Sequence, residues 1–474
     1  MRLDKNTWLR KTQRVIIAVF IVCATCLQAQ TQKSQGPDLQ ALKDRLQRVE
    51  QEVQELKGEI GAAEQAQPTP LAAAAATLRT PPAPPTENEK ASTEREKSES
   101  TFDLYGFVMT DTGYDFGQTD PQWFDVMRPT KLPSYPNEFG GNGNAYFSVR
   151  QTRFGVKTST PTGMGDLKTQ FEFELFGTGV DAGQTTFRLR HAYGELGPFG
   201  AGQTWSPFMD IDVFPNSIEY WGPNGMVFFR NVQLRWMPIR TSRTDLTVGL
   251  ERPGASADQG VYADRIEGLG SVKPRFNLPD VSGHVRLTRN WGYVQTAGIF
   301  RKIGWVDIND PKNFNLSGTA YGWGVNVTSN VKLSTKDVAR LAVVYGEGVE
   351  NYMNDAPVDI GIKSNFSNPV TPIKGVPLPV LGVVSFLDHN WSERFSSAAG
   401  YSMVNIDNSN GQNPSDFHQG HYALANLLYH PTPKVTMGGE FQFGRRVNFS
   451  DGFNVNDYRM QFSFKYDWKK TLAY

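Results

Sequence analysis

From Thr101 onward the chain sorts its connections by parity, and few folds can produce that. About sixteen short alternating stretches begin near Phe102, Ala145, Asp166, Thr186, Phe199, Met226, Thr244, Val281, Tyr293, Gly318, Val338, Val380, Arg394, His421, Lys434 and Val455, each near the length a tilted strand needs to cross a bilayer. Links after even-numbered stretches are tight: Pro161-Thr162-Gly163, Leu196-Gly197-Pro198, 238–243, Asn290-Trp291-Gly292, 332–336, Asn390-Trp391-Ser392 and Pro431-Thr432-Pro433. Most links after odd-numbered stretches are long: 117–144, 206–225, 253–280, 306–317, 348–379 and 406–420. A β-sandwich has no reason to sort loop length in this way. An even-stranded outer-membrane barrel does, with short turns and both termini at one end and long loops at the other.

Side-chain alternation assigns the faces. Leu167, Phe171, Phe173 and Leu175 alternate with Lys168, Gln170, Glu172 and Glu174, and Met460, Phe462, Phe464, Tyr466 and Trp468 alternate with Gln461, Ser463, Lys465 and Asp467. In the stretch TFRLRHAYGE, Phe187 and Leu189 fall on one face and Arg188 and Arg190 on the other. A charge facing hydrocarbon costs a few kcal/mol near the midplane, so the apolar face must be the outer one and the arginines project into the lumen. The expected class is therefore all-β, a transmembrane antiparallel barrel over residues 102–474.

The segment before the barrel reads differently. Val15 to Val22 is apolar, follows Arg10, Lys11 and Arg14, and precedes a small-residue region ending at Ala29, as in a secretory signal peptide over residues 1–29. Both cysteines, Cys23 and Cys26, lie inside it, so disulfides are not expected in the mature chain; Cys23 and Thr25 make a poor lipidation site of Cys26. Within residues 30–61, Leu39, Leu42, Leu46, Val49, Val53, Leu56 and Ile60 form a heptad seam, predicting a short periplasmic α-helical coiled coil; a single amphipathic helix is the plainer alternative. Residues 62–101 turn to Ala, Pro, Thr, Glu and Lys, a disordered linker. Lys+Arg 48 against Asp+Glu 48 gives no sign of a nucleic-acid partner, and a mean hydropathy of -0.44 argues against spanning helices.

Several stretches resemble the DcaP-like porins, Gram-negative outer-membrane channels: FRLRHAYGEL from Phe187, AGQTWSPFMD from Ala201, Trp221-Gly222-Pro223 followed by Arg230-Asn231-Val232-Gln233, YGEGVENY from Tyr345, Asn426 to Pro431, and GEFQFGRRVN from Gly439. The resemblance implies a homotrimer in the outer membrane with its N-terminal helical extension in the periplasm, passing small anions, carboxylates and dicarboxylates above all. The sequence departs from such barrels at its end, where Lys469 to Tyr474 follow the aromatic Trp468; either the strand signal is internal or Tyr474 supplies it in a longer strand.

An anion filter needs cations where the lumen is narrow, and arginine's planar fork suits carboxylates. Strand parity nominates Arg188, Arg190, Arg235 and Arg286; Arg150 and Arg153 join them if the strand bulges near Gln151; Arg446 and Lys168 are weaker additions. Each of these could instead simply pair with Glu172, Glu174, Glu251 or Glu440. The loop 206–225 carries Asp210, Asp212, Glu219 and Trp221, and would narrow the pore by folding inward with its acids opposite the arginines. No catalytic constellation is present: the six histidines make no metal motif, and no nucleophile elbow, P-loop or Rossmann fingerprint occurs, so neither enzyme activity, metal nor cofactor is expected. A passive porin for small carboxylates is the expectation, with a weakly selective general porin, or an outer-membrane anchor whose coiled coil reaches the cell wall, as alternatives.

Overall fold

The computed structural model describes residues 99–263, 269–308 and 314–473. The signal peptide, coiled coil and most of the linker fall outside them, as does Tyr474. Sixteen antiparallel strands close into a barrel. They are β1 (Thr101–Asp115), β2 (two pieces, Asn144–Ser148 and Arg153–Thr162), β3 (Gly165–Phe176), β4 (Thr185–Leu196), β5 (Phe199–Trp205), β6 (Arg230–Arg240), β7 (Thr244–Glu251) and β8 (Asp280–Arg289). They continue as β9 (Gly292–Asp307), β10 (Gly318–Lys332), β11 (Asp337–Glu347), β12 (Pro379–Asn390), β13 (Phe395–Ile406), β14 (Phe417–Thr432), β15 (Val435–Asn448) and β16 (Asn454–Ala473). Each pairs with the next, and β1 closes the ring against β16 from Thr101↔Ala473 to Asp115↔Arg459. The last strand thus runs on through Lys469 to Ala473, matching the long first strand residue for residue.

All but two strands begin within one residue of expectation. β14 starts four residues early, and β6 starts at Arg230 rather than Met226. The second difference is informative: Met226 and Val227 leave the wall and are buried inside, where Val227 bridges to Met353. The faces fall as alternation requires, with Phe187 68% and Leu189 40% exposed on the outside. β2 breaks its ladder between Ser148 and Arg153, and β4 shifts register around Arg190, so that Arg188, Arg190 and His191 all turn inward.

The inner wall has two unlike halves. From β9 to β14 its inward side chains include Ala297, Ile299, Ala342, Val344, Val380, Val384, Val404 and Leu424, all buried beneath Phe208, Met209, Val213, Met226 and Val227 of the loop after β5. An inner face polar all round, as alternation predicts, is therefore not what forms; loop and wall together make an apolar core inside the barrel. From β1 to β6, with β15 and β16, most buried inward residues are polar or charged, among them Asp111, Glu172, Glu174, Arg190, Gln233, Glu440, Arg459 and Gln461, with Met109 and Phe176 as apolar exceptions packed on the loop.

Candidate functional site: an arginine cluster in the lumen

The loop after β5, residues 206–229, leaves the wall and follows its inner surface. Ser206 Oγ donates to Glu251 of β7 (2.7 Å). Asp210 accepts from Tyr293 of β9 (2.7 Å) and Thr328 of β10 (2.6 Å). Asn216 N donates to Asp388 of β12 (3.2 Å), and Ser217 Oγ to Glu440 of β15 (2.8 Å). Ile218 O accepts from Gln151 (2.9 Å) and from Gln461 of β16 (3.0 Å), and Tyr220 Oη donates to Glu174 of β3. On the way back, Gly225 N donates to Ser402 of β13 (2.9 Å), and Gly382 of β12 leaves no room for a Cβ against the Gly225 carbonyl. Its backbone polar groups thus find partners around the barrel, which is what burying a loop requires.

Where the loop meets β2 to β6, cations gather. Glu174 is fully buried and has four arginines around it: Arg190 at 2.6 Å, Arg153 at 3.3 Å, Arg230 at 3.7 Å and Arg188 at 3.8 Å. Glu172 shares two of them, Arg190 (2.6 Å) and Arg153 (3.6 Å). Four guanidinium groups against two carboxylates leave two positive charges uncompensated within the cluster. The hydrogen bonding is unfinished as well: Arg230 Nη1 and Arg153 Nε are buried without a hydrogen-bond partner. Trp205 lies 4.8 Å from Arg230 and 5.4 Å from Arg190, a ring face that holds both cations in place. A cavity of about 340 Å³ on one side of the cluster is lined by Arg128, Arg188 and Arg230, and one of about 520 Å³ on the other by Arg153, Arg190 and Lys465; Tyr220 and Phe228 border both.

The nominated residues divide accordingly. Arg153, Arg188 and Arg190 are in the cluster. Arg150 is not: it is 1% exposed and binds Asp125 (2.5 Å) and the carbonyls of Gly177 (2.9 Å) and Gln184 (3.2 Å), tying loops to the wall. Arg446 is likewise spent on Asn448 (2.9 Å) and the carbonyls of Thr130 (3.2 Å) and Ser415 (2.9 Å). Arg235 faces a third cavity, its guanidinium on Trp205 O (2.5 Å) and Gln233 (3.0 Å). Arg286 is held by the loop through Asp210 and Asp212, each at 2.5 Å. Lys168 is exposed, four residues from Glu172 toward the short-turn end, with Glu195 opposite. Glu251 and Glu440 bind loop hydroxyls rather than arginines.

Of the loop's acids, Asp210 and Asp212 oppose one of the nominated arginines, Arg286, outside the cluster around Glu174. Glu219 turns to the backbone N–H groups of Met127 (3.1 Å) and Gly222, and burial pushes its carboxyl up to about 8, so it carries little charge into the pore. Trp221 packs on Trp123 (4.9 Å) and Arg128 (4.0 Å), with its Nε1 donating to Asn354 O (2.8 Å). Two arginines that line the cavity of about 340 Å³ escaped parity reasoning. Arg230 is out of phase with Arg235 and reaches the lumen because the chain turns inward at its strand end; Arg128 lies in the loop after β1, where it pairs with Asp355 (2.8 Å). For Arg230 the available signal was its place in a family-like stretch.

A family model described as DcaP outer membrane protein matches residues 26–467. The chain belongs to this family. Its fold is similar to the crystal structure of the outer membrane channel DcaP of Acinetobacter baumannii, at 21% identity over 79% of this chain and 99% of that one, with a TM-score of 0.62. Weaker likenesses are to the loop L8 deletion mutant of OmpT of Vibrio cholerae (14% identity, 78% of this chain and 100% of that, TM-score 0.48) and an anion-selective porin from Comamonas acidovorans (10% identity, 78% and 100%, TM-score 0.49). A comparison with curated proteins finds no match. Family membership puts this DcaP-type barrel in the Gram-negative outer membrane with the fold of a porin channel.

Proposed function

We propose that this DcaP family member is a passive porin, assembled as a homotrimer, that favours small anionic solutes and carboxylates in particular. One observation carries the reading: four arginines surround two glutamates between the two cavities, with two buried guanidinium nitrogens lacking hydrogen-bond partners. Two unit charges 4 Å apart interact by about 4 kcal/mol at an effective dielectric of about 20, so an uncompensated pair of cations favours any anion that reaches it. A carboxylate also offers the acceptors that the unpartnered N–H groups lack. Tyr220 and Phe228, bordering both cavities, would set the width of the passage.

Planar-bilayer current under a potassium chloride gradient tests this. The wild-type reversal potential should indicate anion preference, and a dicarboxylate such as succinate should block in a concentration-dependent way. Arg188→Ala with Arg230→Ala should move the reversal potential toward zero while current persists. An unmoved potential would place the filter elsewhere and favour a general porin.

A further inference from the structure

The outer surface of β13 to β16 is sparing with charge. Among the described residues, the outward ladder positions of these strands as far as Trp468 carry no carboxylate, and only His421 of β14 and Arg445 of β15 can bear positive charge. The two stand opposite each other in register, with Asn456 of β16 on the far side of Arg445. A few residues beyond this row the strands run into long loops, so the row lies at the outer end of the wall. One row further into the membrane stand Tyr401, Phe443 and Tyr458, with the last two rings 5.4 Å apart, and past them Phe441, Met460 and Leu427 are exposed. An aromatic girdle marks the level at which hydrocarbon gives way to headgroups, and the pair sits just outside it.

The bonding of the pair is incomplete. Arg445 Nη2 donates to Asn454 Oδ1 (3.2 Å), while its Nε is buried without a hydrogen-bond partner. The Tyr401 hydroxyl takes up His421 Nδ1 and turns the ring so that Nε2 is left for another partner. Neither side chain forms an ion pair among the described residues. An interfacial arginine that merely reaches for water exposes its nitrogens to it. Here one guanidinium nitrogen is screened from solvent and still unbonded, which calls for an acceptor that comes in from the lipid side.

We propose that Arg445 and His421 bind a phosphate of the glycolipid that forms the outer leaflet of this membrane. The site faces away from the lumen, so the ligand is not a passing solute. It is a lipid phosphate because charge and cover agree: the guanidinium fork matches phosphate oxygens, His421 adds a ring nitrogen beside it, and the aromatic row beneath is a surface for the acyl chains of the same molecule. The contact would fix one headgroup against β14 and β15 next to the long loops.

The test titrates the full chain, extracted in mild detergent, with bisphosphorylated lipid A and counts bound lipid by native mass spectrometry. Arg445→Ala with His421→Ala should lower the lipid-bound fraction severalfold, and dephosphorylated lipid A should bind the wild-type chain as weakly as lipid A binds the variant. Arg445→Lys, which keeps the charge and loses the fork, should fall between the two and serves if the double variant disturbs folding. Excess inorganic phosphate should leave lipid A bound; displacement by it would assign the pair to free phosphate and overturn the proposal. Equal binding by variant and wild type, or by the two lipids, would also overturn it, as would a variant that loses its oligomer and keeps its lipid A, since the pair would then belong to a contact between copies. No readout involves conduction, so the result stands apart from the anion preference proposed above.

Discussion

Across β9 to β14 the inner wall holds the loop 206–229 with methyl groups and rings and with hydrogen bonds at Tyr293, Thr328, Asp388 and Ser402, whereas from β2 to β6 it meets the same loop with ions. The apolar side behaves like a domain core: Phe208 and Val349 are fully buried, and Gly382 and Gly225 let two backbones touch. The charged side is arranged in reverse, with more cations than its carboxylates balance. The difference teaches that anchoring and selecting are separate jobs here. The apolar contact fixes where the loop runs, and the ionic contact is left unfinished, which is what a passing anion needs. Variants on the two sides should therefore change different observables.

The largest effect is expected from Arg190→Ala. Its side chain is 5% exposed and bridges Glu172 and Glu174 at 2.6 Å each, so removing it takes the nearest cation from two buried carboxylates, leaving Glu172 only Arg153 at 3.6 Å, and should cost about 3–5 kcal/mol. The temperature at which the folded, heat-modifiable form disappears on a gel should fall, and anion preference should drop with it. Adding Glu172→Gln alone, which neutralises the carboxylate left with the weaker partner and keeps Glu174 among Arg153, Arg188 and Arg230, should restore part of the stability without restoring the wild-type preference. Recovery of both would mean that the cluster serves folding alone.

Phe208→Ala tests the other side. A fully buried phenylalanine truncated to alanine costs about 3–5 kcal/mol in a packed core, and less here to the extent that the loop relaxes into the lumen. Single-channel conductance should change while the reversal potential stays near wild type. A shift in selectivity as large as that of Arg190→Ala would break the division between anchor and filter.

How far these roles could be read beforehand follows from their range along the chain. Strand parity is local, so the barrel, its turns and the inward faces of Arg188, Arg190 and Arg286 were legible from period-two alternation. The break between Ser148 and Arg153 was legible because Phe147 and Phe154 are out of phase. The apolar lining was not: Ala342, Val344, Val380 and Val384 alternate with Leu341, Val343, Leu381 and Val383, which are apolar too, so the pattern there does not distinguish loop from lipid as the neighbour. Arg128 was beyond reach for a different reason, since its partner Asp355 is 227 residues away and both sit in loops.

An intermediate effect is expected from Arg286→Ala. This side chain is 24% exposed and binds Asp210 and Asp212, so part of its attraction is screened by water, and the cost should be about 1–3 kcal/mol. Freed of Arg286, two loop carboxylates would add negative charge to the lumen away from the cluster, and anion preference should fall modestly. Asp210→Asn with Asp212→Asn in that background should bring the preference back, a reversal that no variant in the main cluster would show.

Lys168→Ala marks the lower end. Four residues of strand at about 3.3 Å each separate it from Glu172, roughly 13 Å, whereas the Debye length is about 10 Å at 0.1 M salt and about 3 Å at 1 M. As an exposed surface residue it should change stability by no more than about 0.5 kcal/mol. Its effect on reversal potential should be slight at 0.1 M, vanish at 1 M and emerge near 0.01 M, where the Debye length is about 30 Å. Arg188→Ala should keep most of its effect at 0.1 M, because a solute at the cluster is in contact with the guanidinium and little electrolyte intervenes. Equal salt dependence for the two variants would mean that the pore selects by its overall field, with no privileged place for the cluster around Glu174.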